Sequence, residues 1–153
     1  MDVNMVKPIL TAFMEVLPQI GFQSVQKKSL SVEGSTFEYS GVLLNIAMIG
    51  SIRGVILLSM TFDGAKQFAS KMMMGMEVLE FDKLAQSAIS EMGNMVCANA
   101  CTQFSKHDIP GLDISPPTLM IGSHSQATLP VQKAIVIDFD CDGIDVKLYV
   151  GLI

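Results

Sequence analysis

The sequence predicts an α+β protein, a two-layer arrangement in which helices pack on an antiparallel sheet. Segments with helical apolar spacing alternate with runs rich in Val, Ile, Leu and aromatic residues. Two of those runs flank Asp142-Gly143, a dipeptide suited to a two-residue type I′ hairpin turn. The order is helix, strands, two helices, strands, which looks like a duplicated unit and groups helices between two sets of strands. No linker composition splits the chain, so residues 1–153 are expected to form one domain.

Residues 3–20 read as the first helix. Val6, Ile9, Leu10, Phe13 and Leu17 recur at helical spacing, Pro8 is tolerated near the first turn, and Pro18 with Gly21 ends the segment. Residues 23–31 read as an edge strand, with Lys27 and Lys28 protecting the edge. Phe37–Ile49 and Ile52–Met60 read as strands joined at Gly50-Ser51. Thr61-Phe62-Asp63 opens a helix to about Met74, with Gly75 as its stop. Asp82 caps the next helix, which runs to about Ser105. Leu112–Ile121 is a strand interrupted by Pro116-Pro117, hence an edge or irregular segment.

The final hairpin joins Lys133–Cys141 to Ile144–Leu152. Its turn sets Cys141 opposite Ile144, Phe139 opposite Val146, Ile137 opposite Leu148 and Ile135 opposite Val150, all apolar and on one face. The other face sets Asp138 opposite Lys147, an opposite-charge contact.

Composition narrows the function. Half of the residues are hydrophobic and 16% are charged, enough for a buried core. Net charge is −5 with no long block of one sign, which argues against nucleic acid as partner. The N-terminus lacks a signal-peptide pattern, and apolar stretches stop short of the roughly 18 residues of a membrane span. The expectation is a cytoplasmic protein without a membrane partner. Twelve methionines, Met72–Met74 included, are assigned chiefly to the core. Cys97, Cys101 and Cys141 are expected as free thiols.

Several motifs are set aside. Asp138-x-Asp140-x-Asp142-Gly143 begins like a calcium loop, but the twelfth position is Tyr149 and the flanks are strands. Cys97 and Cys101 lie four apart, yet with His107 and His124 the only histidines nothing has metal-ligand spacing. No GxSxG, P-loop, GxGxxG or HExxH occurs. No metal or cofactor is expected on this chain.

What remains is the helix beginning near Asp82. Glu91 is its only ionised side chain between Lys83 and Lys106. Ser87, Glu91 and Asn94 are spaced i, i+4, i+7 and stack in one stripe, flanked by the small residues Ala88, Ser90 and Ala98. Ala85, Ile89, Val96 and Ala100 lie opposite and face the core. On spacing alone, the stripe is either the solvated side of a half-buried helix or a site bearing one carboxylate and one carboxamide.

The sequence resembles the CheC/CheX/FliY family of chemotaxis phosphatases. That family's motif is Asp or Ser, three residues, Glu, two residues, Asn, then about 22 residues to a Pro. Here it reads Ser87, Glu91, Asn94 and Pro117, with MMMGME at 72–77, LAQSAISEMGNM at 84–95 and ISPPT at 114–118 as further likenesses. The corresponding stretch of the first half reads Thr11, Glu15 and Pro18, so one working site is expected, as in CheX-type members.

The resemblance implies pseudo-twofold halves, a homodimer joined through sheet edges, and hydrolysis of the aspartyl phosphate of a CheY-like response regulator. It also implies that Asn94 orients the attacking water, that Glu91 pairs with the regulator's active-site Lys, and that Mg²⁺ is carried by the regulator. Ala88, Ser90 and Ala98 would let the helix approach the partner closely, and Pro117 would shape the adjacent segment. The alternative is a non-catalytic module, binding receiver domains or acting as a dimeric adaptor of the flagellar switch.

Overall fold

The computed structural model describes the backbone of residues 3–153 and side chains from Met5 onward. A 3₁₀ turn, Val3–Val6, leads into α1, Lys7–Gln19. Pro8 lies in the first turn, where its missing N–H has no helical partner to lose. The helix closes when Ile20 N–H donates to Leu17 C=O at 3.1 Å, and Gly21 turns away with φ +115°. Next come β1, Val25–Ile49, β2, Gly54–Met60, and α2, Phe62–Met72, whose N-cap Thr61 accepts from Gly64 N–H at 3.0 Å. The chain continues through α3, Lys83–Lys106, β3, Asp113–Ile114, β4, Thr118–Cys141, and β5, Ile144–Leu152.

All strand pairings are antiparallel. β1 and β4 pair with each other along nearly their whole length, and both bend so that their two ends reach opposite edges of the sheet. From one edge to the other the order is the first part of β1, the last part of β4, β5, β2, the last part of β1 and the first part of β4. Exchanging β1 with β4 and β2 with β5 reproduces that order reversed, the pairing pattern of two pseudo-twofold halves.

Side chains alternate across the strands and so build two cores. On the helix side, Ile46, Ile56, Leu58, Ile137, Phe139 and Leu148 pack beneath α1, α2 and α3, with the Phe13 and Phe139 rings 4.2 Å apart. On the other side, Leu43, Leu57, Val136 and Tyr149 are covered by the middle of the β1–β4 ribbon. The ribbon delivers Leu129 to this core and stacks the Phe37 ring on Tyr149 at 3.7 Å. Register shifts at Lys27/Ser29, Gly34/Thr36 and Tyr39/Gly41 bend the ribbon into this arch. Gly41 is required by position. Its φ is +122°, and a Cβ there would drive into the Met60 carbonyl oxygen.

The hairpin register expected from Asp142-Gly143 is the one observed, with φ of +52° and +88° in the turn. Asp138 does lie opposite Lys147, but the two form no ion pair. Asp138 instead accepts from Ser29 Oγ at 3.4 Å, and the ion pairs among the described residues are Lys28–Asp145 and Lys71–Asp142.

Three expectations change. The segments read at 23–31 and 37–49 belong to one strand, β1, and the segment read at 112–121 divides into β3 and the start of β4, which runs on without a break through 133–141. The connecting stretches are Gly- and Ser-containing, which reads as loop; they are strands because β1 and β4 pair across them, Val32–Gly34 with Lys133–Ile135 and Thr36–Tyr39 with Ser125–Thr128. Met74 is 97% exposed and does not enter the core, whereas Met72 is half-buried against it.

Candidate active site

α3 is anchored by what it buries. Asp82 caps it, accepting from Ala85 N–H at 2.9 Å. Ala85, Ile89, Met92, Val96 and Ala100 are fully buried on the sheet side. Gly93 shares that side, and a Cβ there would collide with Leu44 Cδ2 and lie 3.0 Å from Ile46 Cδ1. The missing side chain therefore lets α3 settle directly on β1. Settling the buried face turns Ser87, Glu91 and Asn94 outward as one exposed stripe.

The second wall is the edge strand. β3 pairs with Met48 and Ile49, Ser115 bridges to Ala47 through two 2.9 Å hydrogen bonds, and pairing resumes between Asn45 and Thr118. Pro116 and Pro117 fill the interruption, where neither has an N–H to offer the ladder. Leu119, which pairs with Leu44, follows Pro117 on the same face.

Between the walls lies an open groove of about 450 Å³. Ser87, Ser90, Glu91, Asn94 and Pro117 all line it, so four motif positions and one flanking residue converge although Pro117 is remote in sequence. Ala88 is half-buried against the core and does not line the groove; Ala98 is exposed on the stripe one turn beyond Asn94. Lys83, Gln86 and Leu119 complete the lining and were missed from sequence. Lys83 stands four residues before Ser87, and Leu119 two residues after Pro117, so helical and strand periodicity could have found both.

Some other polar side chains of the helix are engaged. Gln86 donates to Phe81 C=O at 3.1 Å, and buried Gln103 donates to Asn99 and to Glu15 of α1. Among the described residues, the Glu91 carboxylate and the Asn94 carboxamide have no such partner and stay available. Glu15, the carboxylate of the first-half stretch, is by contrast tied into the α1–α3 contact.

The groove holds one carboxylate, two carboxamides of which that of Gln86 is already engaged, two hydroxyls and one ammonium. Neither Ser87 nor Ser90 has an imidazole beside it, so no activated serine is assembled. The chemistry available is ion pairing and the orientation of a small polar molecule such as water. The cysteines lie elsewhere. Burial pushes the Cys97 and Cys141 thiols up to about 12, and burial also raises Cys101.

Known proteins share this architecture. A CheX from Desulfovibrio desulfuricans superposes with a TM-score of 0.86 at 18% identity, covering 99% of this chain and all of that one. The CheX of a CheX–CheY–BeF₃–Mg²⁺ complex from Borrelia burgdorferi superposes with a TM-score of 0.81 at 21% identity, covering 99% of both chains. In sequence, this chain is 31% identical over 123 residues to the CheY-P phosphatase CheX of Thermotoga maritima, covering 80% of this chain and 78% of that protein. Residues 42–140 match the chemotaxis phosphatase CheX family, and the chain belongs to that family. Among the described residues no helix is long and apolar enough to cross a membrane.

Proposed function

We propose that this protein hydrolyses the aspartyl phosphate of a CheY-like response regulator, acting in the cytoplasm. The observation that carries this reading is the single groove holding Ser87, Glu91, Asn94 and Pro117 with the Glu91 and Asn94 side chains unengaged. The relative from Thermotoga maritima is named for the same activity, and the Borrelia burgdorferi complex contains CheY with BeF₃ and Mg²⁺.

An aspartyl phosphate is an activated acyl phosphate, so hydrolysis needs an oriented water more than a protein nucleophile. The water oxygen bonds to phosphorus as the bond to the aspartate oxygen breaks; inorganic phosphate leaves and the carboxylate is regenerated. The Asn94 carboxamide can donate to and accept from that water and does not titrate near neutral pH. Glu91, one helical turn away on the same stripe, pairs with the regulator's active-site Lys and fixes the approach of α3. Pro117 and Leu119 shape the opposite wall. Glu91 is the groove's one acidic side chain, a donor set too small to cage Mg²⁺, which fits a metal carried by the regulator.

Assembly as a homodimer through a sheet edge belongs to the same proposal. The outer sides of the first part of β1 and of the first part of β4 are unpaired at the two edges, with Val32 and Ile121 at least half exposed there. Light scattering should give a dimer mass at micromolar concentration; a monomer mass contradicts it. The activity is tested by adding catalytic amounts of the protein to each phosphorylated CheY-like regulator of the organism. Shortened phosphoryl lifetime and multiple turnovers are expected for at least one regulator; unchanged lifetimes for all of them overturn the reading.

A further inference from the structure

Exposed apolar side chains are unevenly distributed. Of the nine large ones among the described residues, Met74, Met76, Leu79 and Leu84 fall within eleven consecutive positions, between the end of α2 and the first turn of α3. Isolated exposed apolar residues are ordinary on a soluble protein, but a contiguous patch marks an interaction surface.

The patch is built rather than loose. Val78 and Phe81 turn inward and pack on the core, so the intervening Leu79 is held outward at 74% exposure. Gln86 donates to Phe81 C=O and Asp82 caps α3, fixing the end of the segment. Met76, Leu79 and Leu84 line one hollow of about 410 Å³ that also carries the acidic residues Glu77, Glu80 and Asp82.

The hollow continues the catalytic stripe. Leu84 lies three residues before Ser87, and positions 84, 87, 91 and 94 all lie along one face of α3. Ten residues of helix separate Leu84 from Asn94, about 15 Å along the axis. A standard interface of about 800 Å² per partner, centred on Asn94, extends that far.

We infer that this hollow is the docking subsite that selects the response regulator, receiving an apolar ridge flanked by basic side chains on the regulator's face beside its phosphoryl site. The inference rests on the proposed function for the chemistry at Asn94 and adds a separate source of affinity. Apolar anchoring in the hollow supplies residence time. Glu77, Glu80 and Asp82 favour a basic rim over an acidic one. Methionine at Met73 and Met76 lets the hollow adapt to the ridge. Because Val78 and Phe81 hold the segment in place, little ordering cost accompanies docking.

The test is the double variant Leu79→Asn with Leu84→Gln, compared with wild type and with Asn94→Ala. Dissociation constants are measured against the beryllofluoride-activated regulator, beside steady-state dephosphorylation, light scattering and a melting curve. Both side chains are exposed, so the melting curve should not move. Affinity should fall about tenfold, as for loss of an anchoring contact, with the loss appearing in KM more than in kcat. Asn94→Ala should show the reverse, losing rate and keeping affinity. Wild-type affinity and KM in the double variant overturn the subsite. So does a changed oligomeric state, which would give the patch to a second copy of this chain. If wild type binds the regulator without dephosphorylating it while the double variant binds weakly, docking stands and only the hydrolytic reading falls.

Discussion

Replacing Gly93 with alanine tests whether the height of α3 above the sheet sets the chemistry. The added Cβ would collide with Leu44 Cδ2 and stand 3.0 Å from Ile46 Cδ1. Ordinary carbon–carbon contacts lie at about 3.5–4.0 Å, so at least about 0.5 Å must be found at Ile46 and more at Leu44. Overpacking of this kind costs about 1–3 kcal/mol. Alanine returns about 1 kcal/mol of helix propensity. The net destabilisation is therefore at most about 2 kcal/mol, a fall in Tm of up to about 8 °C for a chain of this size. The larger effect is expected in rate. Asn94 is the next residue, and a displacement of about 1 Å at a positioning group can cost about 100-fold. Single-turnover dephosphorylation and a melting curve measure both. Adding Leu44→Ala to Gly93→Ala restores room beneath the helix and should recover rate while lowering Tm further. Full activity in Gly93→Ala alone would refute the link between helix seating and catalysis.

Two other predictions rest on the same structure. Lys71, then the Gln23 N–H, hold the Asp142 carboxyl down at about 2 from an ordinary 3.8. A depressed folded value stabilises above the unfolded value and loses that contribution as pH falls through the folded one. The stability gap between wild type and Asp142→Asn should thus be constant above about pH 4 and close towards pH 2; a gap independent of pH contradicts this. Asparagine tolerates the positive φ, so the turn survives the substitution. A thiol reagent should find all three cysteines in denaturant without prior reduction, but Cys97 and Cys141 should stay silent in the native protein, since burial holds both thiols at about 12. Rapid native labelling of either would contradict their burial.

The helices and the last hairpin were legible because their signals are local. Caps at Thr61 and Asp82, the stop at Gly75 and the register through Asp142-Gly143 each depend on a few neighbouring residues. The arch was not legible. The stretches at 32–36 and 122–132 that complete it give no strand signal of their own, and the pairing spans roughly ninety positions, Thr36 with Thr128 for example. The Asp138–Lys147 contact failed for a related reason, since a strand register places two residues opposite without deciding what else competes for the carboxylate; here Ser29 of β1 does. The site was half legible. Helical spacing aligned Ser87, Glu91 and Asn94, but only the likeness to a family tied Pro117 to them. Gly93 reads in sequence as a weak helix residue, and its purpose appears once Leu44 is seen beneath it.

The central claim is that Asn94 performs chemistry while the rest of the helix face performs binding. Asn94→Ala measured by single-turnover dephosphorylation, with affinity for the beryllofluoride-activated regulator determined on the same preparation, separates the two. A fall in rate of about 100-fold with affinity and Tm unchanged is the predicted result. Full hydrolytic activity in Asn94→Ala would contradict the mechanism and leave the groove as a binding surface alone.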